Sequence, residues 1–408
     1  MQKSPVSSRT DPKNVLTHNQ TIIILSHFCD LIKPEVTIIR SFQVTDEDYI
    51  KVAIRLAGRG RGHVSPNPMV GAVIVKGGVI LGQGFHKAFG KEHAEVNAFH
   101  SAKADVAGAT LYVNLEPCCH FGKQPPCVDQ ILKAGIQRVV VGAVDPNPIV
   151  NGTGIQKLRE SGLEVKVGVC EEMCQHLNEA YFKHILTGLP FTTLKIAQTL
   201  DGRIAASNGQ SQWITGERSR RAVHKMRSQH DALLVGIGTV LADNPHLTVR
   251  LSRGVSPQRV VVDSRLRIPL GSHLLTDGLV EKTIIATTAR ASEKKIGSIR
   301  NSGARVWVVK ANSEKRVNLR ALWRKMGKEG IAAVLVEGGS RVVTSVLKNE
   351  LADKIHVFLA PKILGDGLSA IENLGINNLT KAILLHDFKT QRLDGDLLIT
   401  ARLPAKQN

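Results

Sequence analysis

The sequence predicts a layered α/β fold divided between two domains. Three observations support this: short apolar runs alternate with segments of helical periodicity, the chain has 408 residues, and Gly188-Leu189-Pro190 interrupts the pattern near the middle. Domains usually contain about 100 to 200 residues, so this length favours two cores over one. A Gly-x-Pro sequence is a typical helix stop. We therefore predict domains at 45–188 and 189–404 and leave residues 1–44 unassigned.

The first predicted element is a helix that begins at the acidic run Asp46-Glu47-Asp48. Apolar residues follow at helical spacing as far as Ala57, and the three acids lie at the positive end of the helix dipole. Two apolar runs, 70–75 and 79–82, flank Gly77-Gly78 and predict a β-hairpin. The other elements of the first domain are predicted as strands at 111–113 and 139–141 and helices at 93–103, 127–134 and 171–187. Helices that alternate with short strands indicate a layered domain.

The second domain starts a new α/β series. Its strands are predicted near 191–196, 231–236, 259–263, 282–286, 305–309, 332–336 and 354–360. The strand that ends at Val336 continues through Glu337-Gly338-Gly339-Ser340 into a helix, a shape whose backbone N–H groups can receive a diphosphate. A strand that ends in Gly-Gly is also a common simple turn, so both interpretations stay open at this point.

Composition favours an ordinary globular protein with anionic partners. Hydrophobic residues make up 42% and charged residues 22% of the chain, and the mean hydropathy is -0.04. These values exclude disorder, collagen-like repetition and a membrane bundle. The net charge of +19 favours phosphates, nucleotides or nucleic acid as partners. Aromatic residues are only 4% of the chain, which disfavours a single-strand nucleic-acid binder, so we expect small phosphorylated ligands.

The cysteines indicate a reducing compartment. Six cysteines in so long a chain are too few and too clustered for a disulfide framework, so we expect a cytoplasmic protein. The apolar run near 21–31 is interrupted by His27 and Asp30 and is too short to span a membrane. A weak organellar transit interpretation of the mildly basic start stays open. We expect no membrane partner.

The strongest chemical pattern is His93-Ala94-Glu95 followed by Glu116-Pro117-Cys118 and Cys127. One imidazole and two thiolates supply the three protein ligands of a catalytic Zn²⁺ site, which leaves a fourth position for water. Glu95 lies two residues beyond the histidine ligand at the start of a predicted helix, where a carboxylate can move protons. The sequence therefore predicts His93, Cys118 and Cys127 as zinc ligands and Glu95 as general acid and base.

Other cysteines are not predicted as zinc ligands, and the His-x-Glu pair also has a purely structural interpretation. Cys119 could replace Cys118 as a ligand, but the Pro-Cys register favours Cys118, so we predict that Cys119 either packs in the core or contacts the zinc ligands from outside. Cys170 and Cys174 lie one helical turn apart, and we predict buried helix positions for both. A His-x-Glu pair alone is more often a solvated or core pairing; the two Pro-Cys sequences reverse that preference.

These residues resemble the cytidine-deaminase zinc signature. Eight residues separate Cys118 from Cys127, and this longer loop resembles the deaminase half of the bifunctional pyrimidine deaminase/reductase family of riboflavin biosynthesis. Two further loops also match that family, at Pro66-Asn67-Pro68 and at Asp145-Pro146-Asn147-Pro148. The resemblance implies a cytidine-deaminase-like three-layer domain that hydrolyses the amino group of 2,5-diamino-6-(ribosylamino)-4(3H)-pyrimidinone 5′-phosphate.

The polar loop residues of the first domain suit that substrate. Asn67 offers both a donor and an acceptor to a pyrimidine edge, and His120 and Lys123 can meet a phosphate. Asp145 and Asn147 suit ribose hydroxyls. Asp and Asn before Pro are also common turn formers, so for these two residues binding and turn formation stay equal alternatives.

The second domain resembles the reductase half of the same family, whose fold is similar to dihydrofolate reductase. The resemblance rests on Lys195-Ile196-Ala197-Gln198-Thr199-Leu200-Asp201-Gly202-Arg203, on Ser211-Gln212-Trp213 and on 235–250, and the two halves together cover about 45–404. It implies NADPH as cofactor, and the NADP preference comes from the resemblance alone. The implied NADPH contacts are Ala197, Trp213, Thr239, Asp243, Ser264 and Gly339, and the implied sugar-phosphate contacts are Ser211, Arg227, Leu247, Arg250 and Glu337.

Four residues of the second domain have competing interpretations. Lys195 is predicted to assist reduction by hydrogen bonding or protonating a sugar oxygen, and its alternative is a solvated lysine at a strand end. Arg227 and Arg250 suit phosphate because a guanidinium offers a bidentate fork, and their alternative is a surface salt bridge. Trp213 could instead be a core aromatic residue beside Ile214.

Three functional hypotheses follow. The first is a bifunctional zinc deaminase and NADPH reductase of riboflavin biosynthesis, expected as a homo-oligomer that binds no nucleic acid. The second is a nucleic-acid base deaminase whose basic second domain grips RNA; the low aromatic content argues against it. The third is a phosphate-binding module with a structural zinc, which gives no purpose to Glu95. We favour the first.

Overall fold

A computed structural model describes residues 44–122 and 124–404, and all secondary structure discussed below lies in these ranges. From Asp46 onward the chain forms one unit that contains two separate sheets. Within the described ranges, no helix is both long enough and apolar enough to cross a membrane. Lys123 and residues 1–43 of the predicted extension 1–44 lie outside the described residues.

The first sheet has five strands in the order β2-β1-β3-β4-β5. Its strands are β1 Gly71–Lys76, β2 Val79–Phe85, β3 Thr110–Leu115, β4 Arg138–Ala143 and β5 Glu164–Val167. Its helices are α1 Asp46–Ala57, α2 Ala94–His100, α3 Cys127–Lys133, α4 Thr153–Glu160, α5 Glu171–Leu177 and α6 Glu179–Thr187. β1 runs antiparallel to β2 and β3, whereas β3, β4 and β5 are parallel. The predicted hairpin at 70–82 is therefore confirmed.

Helices cover both faces of this sheet. Successive strand residues point to opposite faces, so Ile74 packs with residues of α2, α3 and α4, whereas Val73 packs with residues of α1, α5 and α6. The two apolar clusters give a helix–sheet–helix sandwich. This arrangement confirms the predicted three-layer first domain.

The second sheet has nine strands in the order β11-β10-β9-β8-β12-β6-β13-β16-β15. Its strands are β6 Phe191–Thr199, β8 Ala232–Gly236, β9 Gln258–Val262, β10 Thr283–Thr287, β11 Arg305–Val308, β12 Ala333–Val336, β13 Lys354–Ala360, β15 His386–Leu393 and β16 Asp396–Arg402, while β7 Arg203–Ala205 and β14 Leu368–Ser369 pair separately. Its helices are α7 Glu217–Arg227, α8 Ile237–Asp243, α9 His273–Thr276, α10 Glu293–Asn301, α11 Leu319–Lys328 and α12 Ser340–Lys348. The seven strands from β11 to β13 are parallel, and β16 and β15 add an antiparallel edge.

Two predicted boundaries are wrong. The single helix predicted at 171–187 is two helices that meet at Asn178. The Asn178 amide accepts the Met69 N–H at 2.8 Å and donates to the Met69 carbonyl at 2.9 Å, so this side chain serves the neighbouring loop. The strand predicted at 191–196 continues to Thr199 because its later residues pair with β13. Lys195 and Ala197 therefore lie within the strand and not beyond it.

The loop of the first domain that contains Ser65 and Asn67 contacts the second domain where β8 begins. The Ser65 hydroxyl donates to an Asp231 carboxylate oxygen at 2.8 Å, just before β8 begins. The same oxygen accepts the backbone N–H groups of Ala332 and Ala333 at the start of β12. Asn67, a predicted substrate contact, lies only two residues beyond Ser65. The second sheet thus holds this loop directly.

Candidate functional site

The three predicted zinc ligands come together at the start of two helices. His93 immediately precedes α2, Cys127 is the first residue of α3, and Cys118 follows β3. The His93 Nδ1 atom lies 3.2 Å from the Cys127 sulfur and 3.4 Å from the Cys118 sulfur. Ligands bound to one Zn²⁺ at ordinary bond lengths stand roughly 3.3 to 3.8 Å apart. Of the described residues, these three form the group that can share a metal ion.

Hydrogen bonds favour thiolate at Cys118. Its contact with the Cys127 thiol, followed by the interaction with His93, lowers the pKa of Cys118 to about 4 although burial opposes this. The Cys127 backbone N–H also donates to the Cys118 sulfur at 3.4 Å. Thiolate is the form that ligates metal. This donor set therefore fits zinc.

Glu95 lies in the first turn of α2 beside this group and is only 3% exposed. Burial raises the pKa of its carboxyl, and the nearby His93 opposes that rise. A raised pKa brings a carboxyl closer to the pH at which it both accepts and donates a proton. Glu95 is not one of the three ligand residues, and its role as general acid and base stays a prediction.

His86 is a site residue that the sequence reasoning missed. Its Nδ1 contacts the Glu92 carbonyl at 2.9 Å, and its Nε2 lies 3.2 Å from the Asn67 amide nitrogen. Nδ1 therefore carries the proton and Nε2 accepts from Asn67. The His86 ring also meets the His93 ring edge-on, with centroids 5.5 Å apart. His86 thus orients a predicted substrate contact against a zinc ligand.

The zinc loop places the other predicted residues differently. His120 is half-buried, and its Nδ1 is a buried atom with no hydrogen-bond partner among the described residues. The predicted phosphate contact Lys123 lies outside the described residues. The Cys119 sulfur lies 2.9 Å from the Thr153 hydroxyl and packs against the apolar cluster, which confirms its predicted packing role. Cys174 is buried as predicted, but Cys170 is only partly buried because it precedes the first turn of α5.

Asp145 and Asn147 form a turn. An Asp145 carboxylate oxygen accepts the Asn147 N–H at 2.9 Å, and the Asn147 side chain accepts the Ile149 N–H at 3.2 Å. The Tyr181 hydroxyl donates to Asp145 at 2.9 Å. Asp145 is 6% exposed, and burial raises the pKa of its carboxyl. The turn alternative is therefore confirmed, while contact with a ribose stays a prediction.

The second site is built around a buried charge cluster. Arg227 donates from Nε and Nη2 to the two carboxylate oxygens of Glu337 at 2.7 and 2.9 Å. The Lys195 ammonium lies 3.9 Å from the same carboxylate. All three side chains are at most 17% exposed, so the surface alternatives for Lys195 and Arg227 are wrong. Burial lowers the pKa of Lys195, although Glu337 opposes this.

Four predicted NADPH contacts line one edge of the second sheet. Ser264, Thr239 and Gly339 lie just beyond the carboxyl ends of β9, β8 and β12, and Ala197 lies two residues before the end of β6; these four strands are consecutive and parallel. Ligands of open α/β sheets bind at this edge. A side chain at Gly339 would lie 3.9 Å from the Thr239 hydroxyl, so the glycine leaves the turn open toward that hydroxyl. Contact of this turn with a diphosphate stays a prediction.

The other two predicted NADPH contacts are exposed. Trp213 is 63% exposed, with the Arg220 guanidinium 4.5 Å from the ring centre, so the core-aromatic alternative is wrong. Asp243 is an exposed residue at the end of α8. Ser264 already accepts the Val317 N–H at 3.0 Å through its hydroxyl. Cofactor contact by these residues stays a prediction.

The remaining predicted sugar-phosphate contacts are Arg250, Leu247 and Ser211. Burial, followed by Arg227 and Arg250, lowers the pKa of His224 to about 4, so its neutral ring accepts the Arg250 N–H at 2.9 Å. His224 was not predicted from sequence. The Leu247 side chain is 3% exposed within the apolar core, which leaves its backbone for any ligand contact. Ser211 is half-buried ahead of α7.

Comparison with known proteins identifies both halves. Residues 43–143 match the cytidine and deoxycytidylate deaminase zinc-binding region, and residues 190–399 match the RibD C-terminal domain. The riboflavin biosynthesis protein RibD of Aquifex aeolicus is 44% identical over 355 residues, covering 87% of this chain and 97% of the relative. This chain belongs to the RibD family. RibD of Escherichia coli is 38% identical and covers 83% of this chain and 94% of its own length.

Solved RibD structures share the whole fold. RibD of Acinetobacter baumannii superposes with a TM-score of 0.80 at 34% identity, covering 88% of this chain and 99% of that one. A Thermotoga maritima diaminohydroxyphosphoribosylaminopyrimidine deaminase/5-amino-6-(5-phosphoribosylamino)uracil reductase superposes with a TM-score of 0.76 at 38% identity, with the same coverage. This chain therefore combines a zinc-binding deaminase domain with an NADPH-dependent RibD reductase domain, and it is a bifunctional enzyme of riboflavin biosynthesis.

Proposed function

We propose that the first domain hydrolyses 2,5-diamino-6-(ribosylamino)-4(3H)-pyrimidinone 5′-phosphate to the corresponding uracil and ammonia. The observation that carries this proposal is the buried Glu95 carboxyl beside the His93, Cys118 and Cys127 ligand group. Zinc held by such ligands supplies the Lewis acidity that makes water nucleophilic near neutral pH. Glu95 takes a proton from the water that attacks the ring carbon and delivers it to the departing amino nitrogen.

The surrounding residues orient the pyrimidine and its ribosyl phosphate. Asn67, whose amide is held by His86, presents its amide to the pyrimidine edge. His120 and Lys123 take the phosphate, since both belong to the loop between the two cysteine ligands. The turn of Asp145 and Asn147 contacts the ribose.

The second domain then reduces the ribosyl side chain to a ribityl chain. NADPH supplies the hydride for the sugar carbon. Lys195 donates a proton to the sugar ring oxygen as the carbon–oxygen bond breaks, and its burial favours release of that proton. Glu337 holds Lys195 and Arg227 in place. Ser211, Arg227, Leu247 and Arg250 bind the sugar phosphate; Ala197, Trp213, Thr239, Asp243, Ser264 and Gly339 bind NADPH.

Mass spectrometry of the product with and without NADPH tests both steps. We expect replacement of the amino group by oxygen without NADPH, and addition of two hydrogens only when NADPH is present. Glu95→Gln should lower deamination by about 10²- to 10⁴-fold while the purified chain keeps its zinc. The same variant should still reduce substrate that has already been deaminated. Glu160→Gln, which changes an exposed glutamate of α4, is the matched control. Ammonia release that survives Glu95→Gln would refute the assignment of Glu95.

We infer a homo-oligomer from the exposed edge of the second sheet. β15 is an edge strand with seven of its eight residues exposed. Exposed apolar side chains accompany it: Leu379 is 89%, Leu384 70% and Phe388 61% exposed. Open edges with apolar side chains favour pairing with another chain. We assign this surface to a second copy of the chain, and we assign the protein to the cytoplasm on its free thiols.

A further inference from the structure

Glu116 is a buried carboxylate that binds four backbone N–H groups. One oxygen accepts from Gly154 at 2.9 Å and from Ile155 at 3.2 Å. The other accepts from Gly152 at 2.9 Å and from Asp145 at 3.2 Å. Glu116 is only 4% exposed. An ionised carboxylate offers about four lone-pair sites, so these contacts use its accepting capacity.

The Glu116 side chain joins two segments that lie 29 to 39 residues apart in the sequence. On one side Glu116 lies two residues before the zinc ligand Cys118. On the other side its partners are the turn at Asp145 and the first turn of α4. A carbon atom added at Gly154 would lie 2.2 Å from the Pro117 carbonyl oxygen, so the two segments are in backbone contact.

Two further contacts tie the same segments together. The Glu116 backbone N–H donates to the Ala143 carbonyl at 2.9 Å, at the end of β4. The Cys119 sulfur lies 2.9 Å from the Thr153 hydroxyl in the first turn of α4. The peptide that carries Cys118 is therefore fixed on both sides, by β4 before it and by α4 beside it. The side chain of Glu116 makes the largest single share of these contacts.

We propose that Glu116 is a positioning residue that holds the Cys118 thiolate in place for zinc. It acts through the backbone and touches neither the metal position nor the substrate. Groups that orient metal ligands from outside typically contribute 10- to 100-fold to metal affinity. Loss of the carboxylate leaves four buried N–H groups short of acceptors and frees the Cys118 peptide to move.

Zinc release from the full chain tests this proposal. Zinc-loaded wild type and Glu116→Gln are mixed with a colorimetric chelator, and the rate of zinc capture is measured. The amide keeps the shape of the carboxylate but turns an NH₂ group toward two of the four N–H donors. We expect zinc to leave Glu116→Gln at least about tenfold faster, and deamination to recover when zinc is supplied in excess. Reduction of already deaminated substrate should stay at the wild-type rate.

The controls separate positioning from general damage. Glu164→Gln removes an exposed carboxylate of the same domain, paired with Arg138, and should release zinc at the wild-type rate. Wild-type release from Glu116→Gln would overturn the proposal, and so would deamination that excess zinc does not restore. If Glu116→Gln does not fold, Glu116→Asp replaces it, and the same two readouts decide. A wild-type chain that binds zinc but does not deaminate would contradict the proposed reaction, not the role of Glu116.

Discussion

Removing the Glu337 carboxylate should destabilise the second domain by about 3 kcal/mol. Glu337→Gln takes away the only anion of the described cluster and leaves the Arg227 and Lys195 cations facing each other, each at most 17% exposed. Removing one partner of a buried pair typically costs about 3 to 5 kcal/mol. We expect the lower end of that range, because Lys195, whose pKa burial already lowers, can relieve the loss by giving up its proton.

The lowered pKa of Glu337 corresponds to a similar magnitude. Burial opposes its ionisation, but Arg227 outweighs burial and the pKa of Glu337 falls from 4.5 to about 2. That lowering corresponds to about 3 kcal/mol, since one pKa unit equals about 1.4 kcal/mol. Because the folded-state pKa is the lower one, the contribution is complete above about pH 4.5 and is lost as the pH falls toward 2. Glu337→Gln should therefore flatten the acid dependence of stability in that window.

Urea unfolding followed by tryptophan fluorescence measures this change selectively. The three tryptophans of the chain, Trp213, Trp307 and Trp323, all lie in the second domain. Glu217→Gln is the control, since Glu217 forms an exposed pair with Arg221 and such pairs contribute at most about 1 kcal/mol. Equal free energies of unfolding for wild type and Glu337→Gln at pH 7 would refute the argument that the cluster depends on its anion.

Two further changes test the loop contact and the sheet edge. Ser65→Ala removes one hydrogen bond, worth about 1 kcal/mol, so the deaminase KM should rise about fivefold while reduction is unchanged. Ser161→Ala, which changes an exposed serine of the same domain, is the control. An unchanged KM in Ser65→Ala would mean that the loop needs no support from the second sheet. Phe388→Lys puts a charge on the β15 edge and should lower the molar mass measured by light scattering. Leu186→Lys changes an exposed residue of α6 and should leave the molar mass unchanged. Equal molar masses for wild type and Phe388→Lys would exclude the β15 edge as the contact between copies.

Local pattern was enough to predict most of the first domain. The acids at Asp46, the Gly77-Gly78 turn and the apolar runs each depend on neighbours in sequence, and the structure places α1, β1 and β2 there. The zinc ligands were also predictable from local sequence, because His93 directly precedes α2, Cys118 lies in the loop after β3 and Cys127 begins α3. A site whose residues are closely spaced along the chain can therefore be predicted from the sequence alone.

Residues that act through long-range backbone contacts were not predictable. Glu116 was visible in the motif, but its four partners lie 29 to 39 residues further on. Asn178 splits a helix because its amide serves Met69, 109 residues earlier. β15 was missed since its sequence, His386 to Leu393, is mostly polar, as suits an edge strand with seven exposed residues. In each case the deciding partner is distant along the chain.

The two sites differ in how the chain assembles them, and this explains why one followed from spacing and the other from resemblance. The zinc ligands lie at or near the starts of two short helices of one layer, so a segment of 35 residues holds all three. The reductase site collects Lys195, Arg227 and Glu337 from β6, α7 and the end of β12, across a segment of 143 residues. Parallel strands cause this separation, because the chain must return to the opposite end of the sheet before the next strand can finish at the same end. The carboxylate of Glu337 lies between its two cations only when β6, α7 and β12 have packed together. The cluster is therefore a property of the folded domain and not of any single segment.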